Sequence, residues 1–582
     1  MKASDRYERV VELAKRRGFF WPSNEIYGGV SGFITFGPLG SILKRNIEDR
    51  FRRFFLWRLG IFEIDTPLIT PARVFEASSH VESFREPMLE CQKCHRRFRA
   101  DHLLRELGGI SETEAEKLTL KEIEERISSL NIKCPECNGD LGEPKYFLTM
   151  FTTTIGPYEG DVGYGRPEAA QGVFTEFKRL QEYARGKLPF GVAQIGRALR
   201  NEISPRQGPI RLREFTIMDL EFFFDPEEPQ CPLLEEVEDE ILRIIPAETK
   251  RQGSYEITEV TVKGALKEGY VGNEWLAFFM AWGKRFMLDL GVPGEKQRFI
   301  EKLEWERAHY SSQGFDQEVY LERWGWVEVS GFNNRTDYDL GRHMKHSGVD
   351  MTIFKEYKEP RVEEKTVIEP VMATIGPDFK SDAAEISALL SSLDPKPLRE
   401  AFESRGYYEL GSYKILPKHV NIVKKRFESK GRRFIPHVIE PSYGSDRLVY
   451  VVLDYAYTEK ENRVVLRLPI DVAPIQVGVY PLVDKDNLPE KAMEVFVTLR
   501  DEGFRVEYDD AGSIGRRYAR ADEIGTPIGI TIDYKTLEDE TVTLRNRDTW
   551  TQVRAAITSL PQLLRDYFHG KKSFEELGEP FQ

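Results

Sequence analysis

The chain has 582 residues, too many for one hydrophobic core, and roughly three to five domains are expected. Hydrophobic residues make up 40% and aromatic residues 12%, which excludes a disordered chain, and no apolar run is long enough to span a bilayer. A formal net charge of −13 excludes a general nucleic-acid coat, although an enzyme with a local basic groove is compatible with it.

Residues 4–18 read as a charged amphipathic helix without a hydrophobic signal core, so a cytoplasmic protein is expected. Gly28–Gly40 reads as a glycine-rich turn, strand and turn. It is neither a GxGxxG nor a P-loop pattern, and nucleotide binding does not follow from it. Ile42–Leu59 carries Ile42, Ile47, Phe51, Phe54 and Phe55 at helical spacing. It runs into Gly60-Ile-Phe-Glu-Ile-Asp-Thr-Pro67, where a proline inside a strand pattern points to an edge or an interface.

Five cysteines occur, four of them as the pairs Cys91-Gln-Lys-Cys94 and Cys134-Pro-Glu-Cys137. Each pair offers two sulfurs at the bite of a tetrahedral thiolate site, and a structural zinc ion is expected there. The intervening stretch holds a helical pattern over Ile110–Leu130 that opens with a Ser-x-x-Glu capping signal. Cys231 stands alone and is expected to be packed rather than reactive.

Arg166-Pro-Glu168-Ala-Ala-Gln-Gly172 reads as the start of a helix with Glu168 in its first turn. A hairpin follows. Side chains alternate along a strand, so Gln194, Gly196, Ala198, Arg200 and Glu202 share one face. On the return strand Arg211, Arg213, Phe215, Ile217, Asp219 and Glu221 share one face, and Leu212, Met218, Leu220, Phe222 and Phe224 the other. Arginines, acids and one aromatic above small residues make a pocket for an anion, a flat ring and a cation. A solvated polar face is the alternative at this point.

Helices are expected over Glu274–Leu290 and Gly294–His309, and a strand at Gly325–Val329 that carries Glu328. Residues 356–430 alternate strand and helix patterns and read as an inserted α/β module. His437–Tyr450 reads as strand, glycine turn and helix. From about residue 470 the order is strand, helix (Pro489–Glu502), strand (Arg505–Tyr508), helix (Ile514–Ile524), strand (Pro527–Ile532), strand (Glu540–Arg545) and helix (Trp550–Phe568).

Three of these segments, in order, resemble the signature motifs of the class II aminoacyl-tRNA synthetases. Gly60…Pro67 is similar to motif 1, Arg200-Asn-Glu202…Arg211-x-x-x-Phe215 to motif 2, and Gly444-Ser-Asp-Arg447 to motif 3. Arg166-Pro-Glu-Ala-Ala-Gln-Gly, Lys187-Leu-Pro-Phe-Gly, Ile439-Glu-Pro-Ser and Ala77-Ser-Ser-His-Val resemble the dimeric archaeal and eukaryotic glycyl-tRNA synthetase family over nearly the whole chain. The resemblance implies an α+β protein: a class II synthetase antiparallel-sheet catalytic domain with insertions, plus a C-terminal α/β anticodon-binding domain. Its segments would be 1–87 with motif 1, a zinc-ribbon-like insertion at 88–142, 143–224 with motif 2, an insertion at 225–355, the α/β module at 356–430, 431–469 with motif 3, and the anticodon-binding domain at 470–582.

The resemblance also implies a homodimer built on motif 1, with no membrane association, that acts on ATP, glycine and tRNA(Gly). Residue by residue, Arg200 would stabilise charge on the α-phosphate, with Arg447 its catalytic partner. Glu202 would accept from the adenine amino group, Phe215 would stack on the ring, and Arg211 and Arg447 would hold the outer phosphates. Mg2+ would accompany ATP, with Glu328 and Glu440 as its candidate ligands. Glu168, Asp219, Glu221, Glu440 and Ser442 would form the glycine pocket. Asp219 departs from the family, where many relatives carry Glu, and Glu221 could share its role. Arg335, His309 and Tyr310 would line the rim or fill structural roles. Arg516, Arg517, Arg520, Arg545 and Arg547 could reach an anticodon loop. Two alternatives stand beside this reading: a non-catalytic synthetase-like nucleic-acid-binding protein, and a class IIa synthetase for another amino acid.

Overall fold

The computed structural model describes residues 3–581 apart from 116, 158, 159, 204, 206 and 207. These residues fall into two compact units, one reaching to Met351 and resuming at Pro436, the other spanning Thr352–Ile435.

A nine-stranded sheet organises the larger unit. In chain order its strands are β1 (Phe62–Glu63), β2 (Phe190–Leu199), β3 (Glu214–Phe224), β4 (Ile241–Ile245), β5 (Thr258–Thr261), β6 (Gln297–Glu301), β7 (Gln313–Leu321), β8 (Gly325–Thr336) and β9 (His437–Gly444). Their spatial order is β5-β4-β6-β7-β8-β9-β3-β2-β1, antiparallel at every junction except β4–β6 and β1–β2. The pairs Gln194 with Asp219 and Asp219 with Ser442 set the register of the three strands that matter most.

The two faces separate by chemistry. Met218, Leu220, Phe222, Ile439 and Tyr443 face a core built with helices α1 (Pro38–Phe51), α2 (Glu274–Asp289) and α3 (Ser445–Ala456). Tyr443 meets Phe55 and Phe286 at centroid distances of 5.5 Å, and Phe222 meets Trp275 at 4.4 Å. Burying such rings contributes on the order of 2 kcal/mol each. The period of two then forces Asp219, Glu221, Glu440 and Ser442 onto the opposite face. Helix α1 continues as a wider π-type turn through Trp57, so the expected helix at 42–59 begins earlier and changes pitch at Arg52.

Three expected helices differ from those observed. Over 294–309 there is a short turn and then strand β6, where Gln297 and Phe299 alternate into the interior and pair with β4 and β7. Over 110–130 the helix is divided into Glu112–Ala115 and Leu120–Ser129. Thr119 restarts it: its Oγ1 accepts from Glu122 N at 3.3 Å, and its own N donates to the Glu122 carboxylate at 2.8 Å. Residue 116 lies outside the described residues. Over 550–568 the first half is a strand (Gln552–Ala556), because Val553 and Ala555 alternate into the core while Arg554 pairs with Asp533 at 2.7 Å.

That strand is β14 of a second, six-stranded sheet. The others are β10 (Val477–Pro481), β11 (Val506–Tyr508), β12 (Ile528–Ile532), β13 (Thr541–Asn546) and β15 (Glu579–Phe581), in the order β11-β10-β12-β13-β14-β15. The first three are parallel, joined through helices Leu488–Asp501 and Ile514–Ile524, and the rest are antiparallel. The unit at 352–435 pairs a long strand, Ile353–Pro370, with Val420–Phe434. Three helices between them close a small core around Ile375, Ile386, Leu390 and Leu398.

Candidate functional site

A cleft of ≈600 Å³ opens on the polar face of the large sheet. It is lined by Arg200, Glu202, Arg211, Phe215, Glu328 and Arg447 toward one end, and by Glu168, Asp219, Glu440 and Ser442 toward the other. Residues more than 270 positions apart in the chain thus share one cavity, because β3 lies between β2 and β9. Glu221 does not line the cleft.

The cationic end is built by the loop after β2 and by the start of α3. Arg200 Nε donates to Pro167 O at 3.1 Å, and its guanidinium lies 5.5 Å from the Phe215 ring and 5.7 Å from the Phe84 ring. Arg447 Nε donates to Ile210 O at 3.0 Å. Glu202 and Arg211 approach to 3.8 Å. Arg213, expected on the same face, turns away: Nη1 donates to Ser31 O and Nη2 to Glu202 O, both at 2.8 Å. The strand of the return arm begins at Glu214, so the alternation that placed Arg213 does not reach it. Lys302 and Asp316, not singled out from the sequence, line the same end and meet at 2.8 Å. Burial pushes the Asp316 carboxyl up to about 7. Desolvation acts against the charge of Glu328, whose side chain is half exposed, but Lys302, Arg447, Arg200 and Arg211 outweigh it and hold its carboxyl below the usual range.

The acidic end is a buried network centred on Arg335, which is fully buried. Its Nε donates to Asp339 Oδ2 at 2.8 Å, Nη1 to Glu440 Oε1 at 2.7 Å and Nη2 to Glu168 Oε1 at 3.3 Å. The guanidinium carbon sits 3.4 Å from the centroid of the Tyr310 ring. Asp219 uses both oxygens: Oδ1 accepts from Ser442 Oγ at 2.5 Å and Oδ2 from Ala169 N at 2.8 Å. Glu440 Oε2 accepts from Asn333 Nδ2 at 3.1 Å. Glu221 is fully buried, and among the described residues neither of its carboxyl oxygens has a hydrogen-bond partner. Glu168 precedes its helix (Ala170–Thr175) by two residues rather than lying in the first turn.

Many acids around one guanidinium cannot all ionise. Burial raises Asp219 above the usual carboxylate range, pushes Glu440 up to about 8 and raises Glu221 well above its usual value, where the charge of Glu440 adds to the effect. Glu168 goes the other way. Its desolvation is outweighed by His80 and Arg335, and its carboxyl is held well below the usual range. The cluster therefore holds carboxyl groups driven in opposite directions around one guanidinium. Arg335 and Asp339 were missed as its organisers: Arg335 lies at the end of β8 and Asp339 in the following helix Tyr338–Ser347, so no helical spacing links them.

The four cysteines lie on the knuckles beside the sheet of Arg85–Glu90, Arg97–Arg99 and Lys145–Leu148. Their sulfurs lie within 4.8 Å of one another, with Cys91–Cys137 at 3.5 Å and Cys94–Cys134 at 3.6 Å. Zn–S bonds of about 2.3 Å in a tetrahedron require sulfurs about 3.8 Å apart, so the cradle fits that ion. Cys231 is buried, and burial pushes its thiol up to about 12.

In the C-terminal domain three of the arginines expected to face an anticodon are structural. Arg517 is buried and donates to the carbonyls of Pro481, Asp510 and Gly512. Arg545 is buried and forks onto Asp522 at 2.9 and 3.0 Å, and Arg547 is buried and donates to Gly525 O and Leu468 O. Arg520 pairs with Asp509 at 2.6 Å, while Arg516 is exposed. A glycine turn does not reveal whether a neighbouring arginine caps it from inside or faces solvent.

The anticodon-binding domain family matches residues 476–567. Over 99% of both chains, the protein is 49% identical to a glycine–tRNA ligase of Aeropyrum pernix. It is 47% identical to that of Thermococcus sibiricus, over 97% of this chain and 99% of the relative, and 45% identical to that of Methanocaldococcus jannaschii at the same coverage.

Proposed function

The chain belongs to the glycine–tRNA ligase family, and from that premise we propose how its cleft carries out the reaction. The enzyme activates glycine with ATP and transfers it to tRNA, releasing AMP and diphosphate. In the first step a glycine carboxylate oxygen bonds to the α-phosphorus and the bond to diphosphate breaks. In the second a ribose hydroxyl at the 3′ end of tRNA(Gly) bonds to the acyl carbon and AMP departs.

Arg200 is assigned to the α-phosphate, where negative charge builds as the carboxylate attacks. A guanidinium already held by Pro167 O and flanked by Phe84 and Phe215 needs little reorganisation. Phe215 is assigned to stacking on adenine, Glu202 to its amino group, and Arg211 and Arg447 to the outer phosphates. Glu328 would hold Mg2+ that accompanies ATP. Asp316 stands on the same wall, whereas Glu440 already has both oxygens engaged by Arg335 and Asn333. When bound, the ion would offset phosphate charge. The four thiolates would hold zinc as a structural ion.

Selection of glycine is assigned to the acidic end. Its substrate has no side chain to grip, so the pocket must hold an ammonium group and leave no room for a β-carbon. Glu168, Glu440 and Ser442 line it. Asp219, its oxygens filled by Ser442 and Ala169 N, is assigned to orienting Ser442, and Glu221 to the buried charge balance beneath. The observation that carries the reading is the placement of an acidic ammonium pocket and an arginine-lined anion pocket in one cleft. A homodimer in the cytoplasm belongs to the same proposal.

ATP–pyrophosphate exchange with glycine, alanine, serine, proline and threonine tests it. Exchange with glycine well above the others is expected. No exchange with any would favour a non-catalytic relative, and exchange with serine but not glycine would overturn the substrate.

A further inference from the structure

Glu168 lines the cleft, but it is held from behind by buried groups to which the reaction above gives no role. His80 is fully buried, with Nε2 3.1 Å from Glu168 Oε1. Its Nδ1 lies 2.8 Å from Ser78 Oγ. The ring stacks on Phe84, with centroids 5.2 Å apart and planes 17° apart, and meets His309 edge-on at 5.4 Å. The segment that carries it is pinned. Arg342 donates to Ala77 O and to Ser79 Oγ, each at 2.7 Å, and His309 Nε2 lies 2.7 Å from Ser78 O.

An ionised carboxylate only accepts hydrogen bonds, so the nitrogen facing it must carry the proton. Nε2–H is therefore the group that meets Glu168 Oε1 at 3.1 Å, set off the line of a hydrogen bond, and Ser78 meets Nδ1 and fixes the rotation of the ring. Glu168 Oε1 is then engaged by hydrogen bonds from Gln171 Nε2 at 3.1 Å and Arg335 Nη2 at 3.3 Å and by the close contact of His80 Nε2 at 3.1 Å. Oε2 has, among the described residues, a hydroxyl contact from Tyr310 at 3.4 Å. The spare lone pairs of this carboxylate are on Oε2.

We propose that His80 is a positioning residue for amino-acid binding: backed by Ser78, it anchors Glu168 Oε1 so that Oε2 presents its lone pairs to the substrate ammonium. The inference rests on reading the acidic end as the glycine site. Outer partners of this kind orient a binding group without touching the ligand, and their loss loosens the site rather than the fold.

The test is pyrophosphate exchange on the full chain, with glycine and ATP varied separately. His80→Phe keeps the stack on Phe84 and removes both nitrogens. It is expected to raise the glycine KM about tenfold or more, the size of a lost polar contact to a buried charge, and to leave the ATP KM within about twofold. His80→Gln, which restores a donor, is expected to recover part of the loss. An unchanged glycine KM, or equal rises in both constants, overturns the proposal. Should His80→Phe fail to fold, Ser78→Ala decides: a selective rise in glycine KM supports the chain of contacts, and none refutes it. Failure of the unaltered protein to use glycine would instead remove the substrate reading on which the inference stands.

Discussion

At the scale of single residues, the site depends on charges held where water is scarce. Arg200→Ala is expected to lower the rate of adenylate formation by about 10²–10³-fold or more with the fold intact, the loss typical of a preorganised transition-state donor. Near-normal pyrophosphate exchange would remove Arg200 from that role. Glu440 is pushed up to about 8 by burial, and an ammonium ligand favours its ionised form. The ionised fraction grows as pH rises, so the glycine KM should fall between about pH 7 and 9. A KM flat over that range would contradict the assignment. Most of these residues were legible one by one, because their types and spacing match the reaction's charges. Arg213 was not: alternation holds only while the backbone is extended, and the strand begins one residue after it.

At the scale of elements, the sheet carries the cleft because helices cover its other face. Gly283 on α2 marks how close that packing is: a Cβ there would lie 2.4 Å from Phe332 Cζ and 2.7 Å from Tyr443 Oη. Gly283→Ala is expected to cost about 1–3 kcal/mol, read as a lowered thermal midpoint. An unchanged midpoint would mean the helix shifts freely. The cysteine module makes a separate prediction. About one zinc per chain is expected by elemental analysis, and Cys134→Ser should lower both metal content and thermal midpoint. Metal-free protein of full stability would refute the thiolate site. Two of the elements misread from sequence share a cause. In β6 and at Gln552–Ala556 a period of two is embedded among good helix formers, and pairing with neighbouring strands overrides local propensity.

At the scale of the molecule, the proposed homodimer needs an exposed apolar surface, and one is present. Trp57, at the end of the helix that precedes the motif-1 strand, is 67% exposed, an apolar area of the kind that interfaces cover. Sedimentation at micromolar concentration is expected to give twice the chain mass, and Trp57→Ala to weaken association. A monomer with full activity would count against the dimer. No helix among the described residues is long and apolar enough to cross a membrane.

The order of the motifs, the arginines that line one end of the cleft, the thiol pairs and most of the alternation of the C-terminal elements were carried by the sequence, since each depends on residue type and short spacing. The tertiary structure alone decided which oxygens are already spent. Arg335 gathers Glu168, Glu440 and Asp339 from separate parts of the chain, Ser442 and Ala169 fill Asp219, and Glu221 is left without a hydrogen-bond partner among the described residues. Whether a carboxylate binds a ligand, orients a neighbour or keeps its proton is set by burial and by contacts across strands. Those quantities have no signature in the linear order of residues.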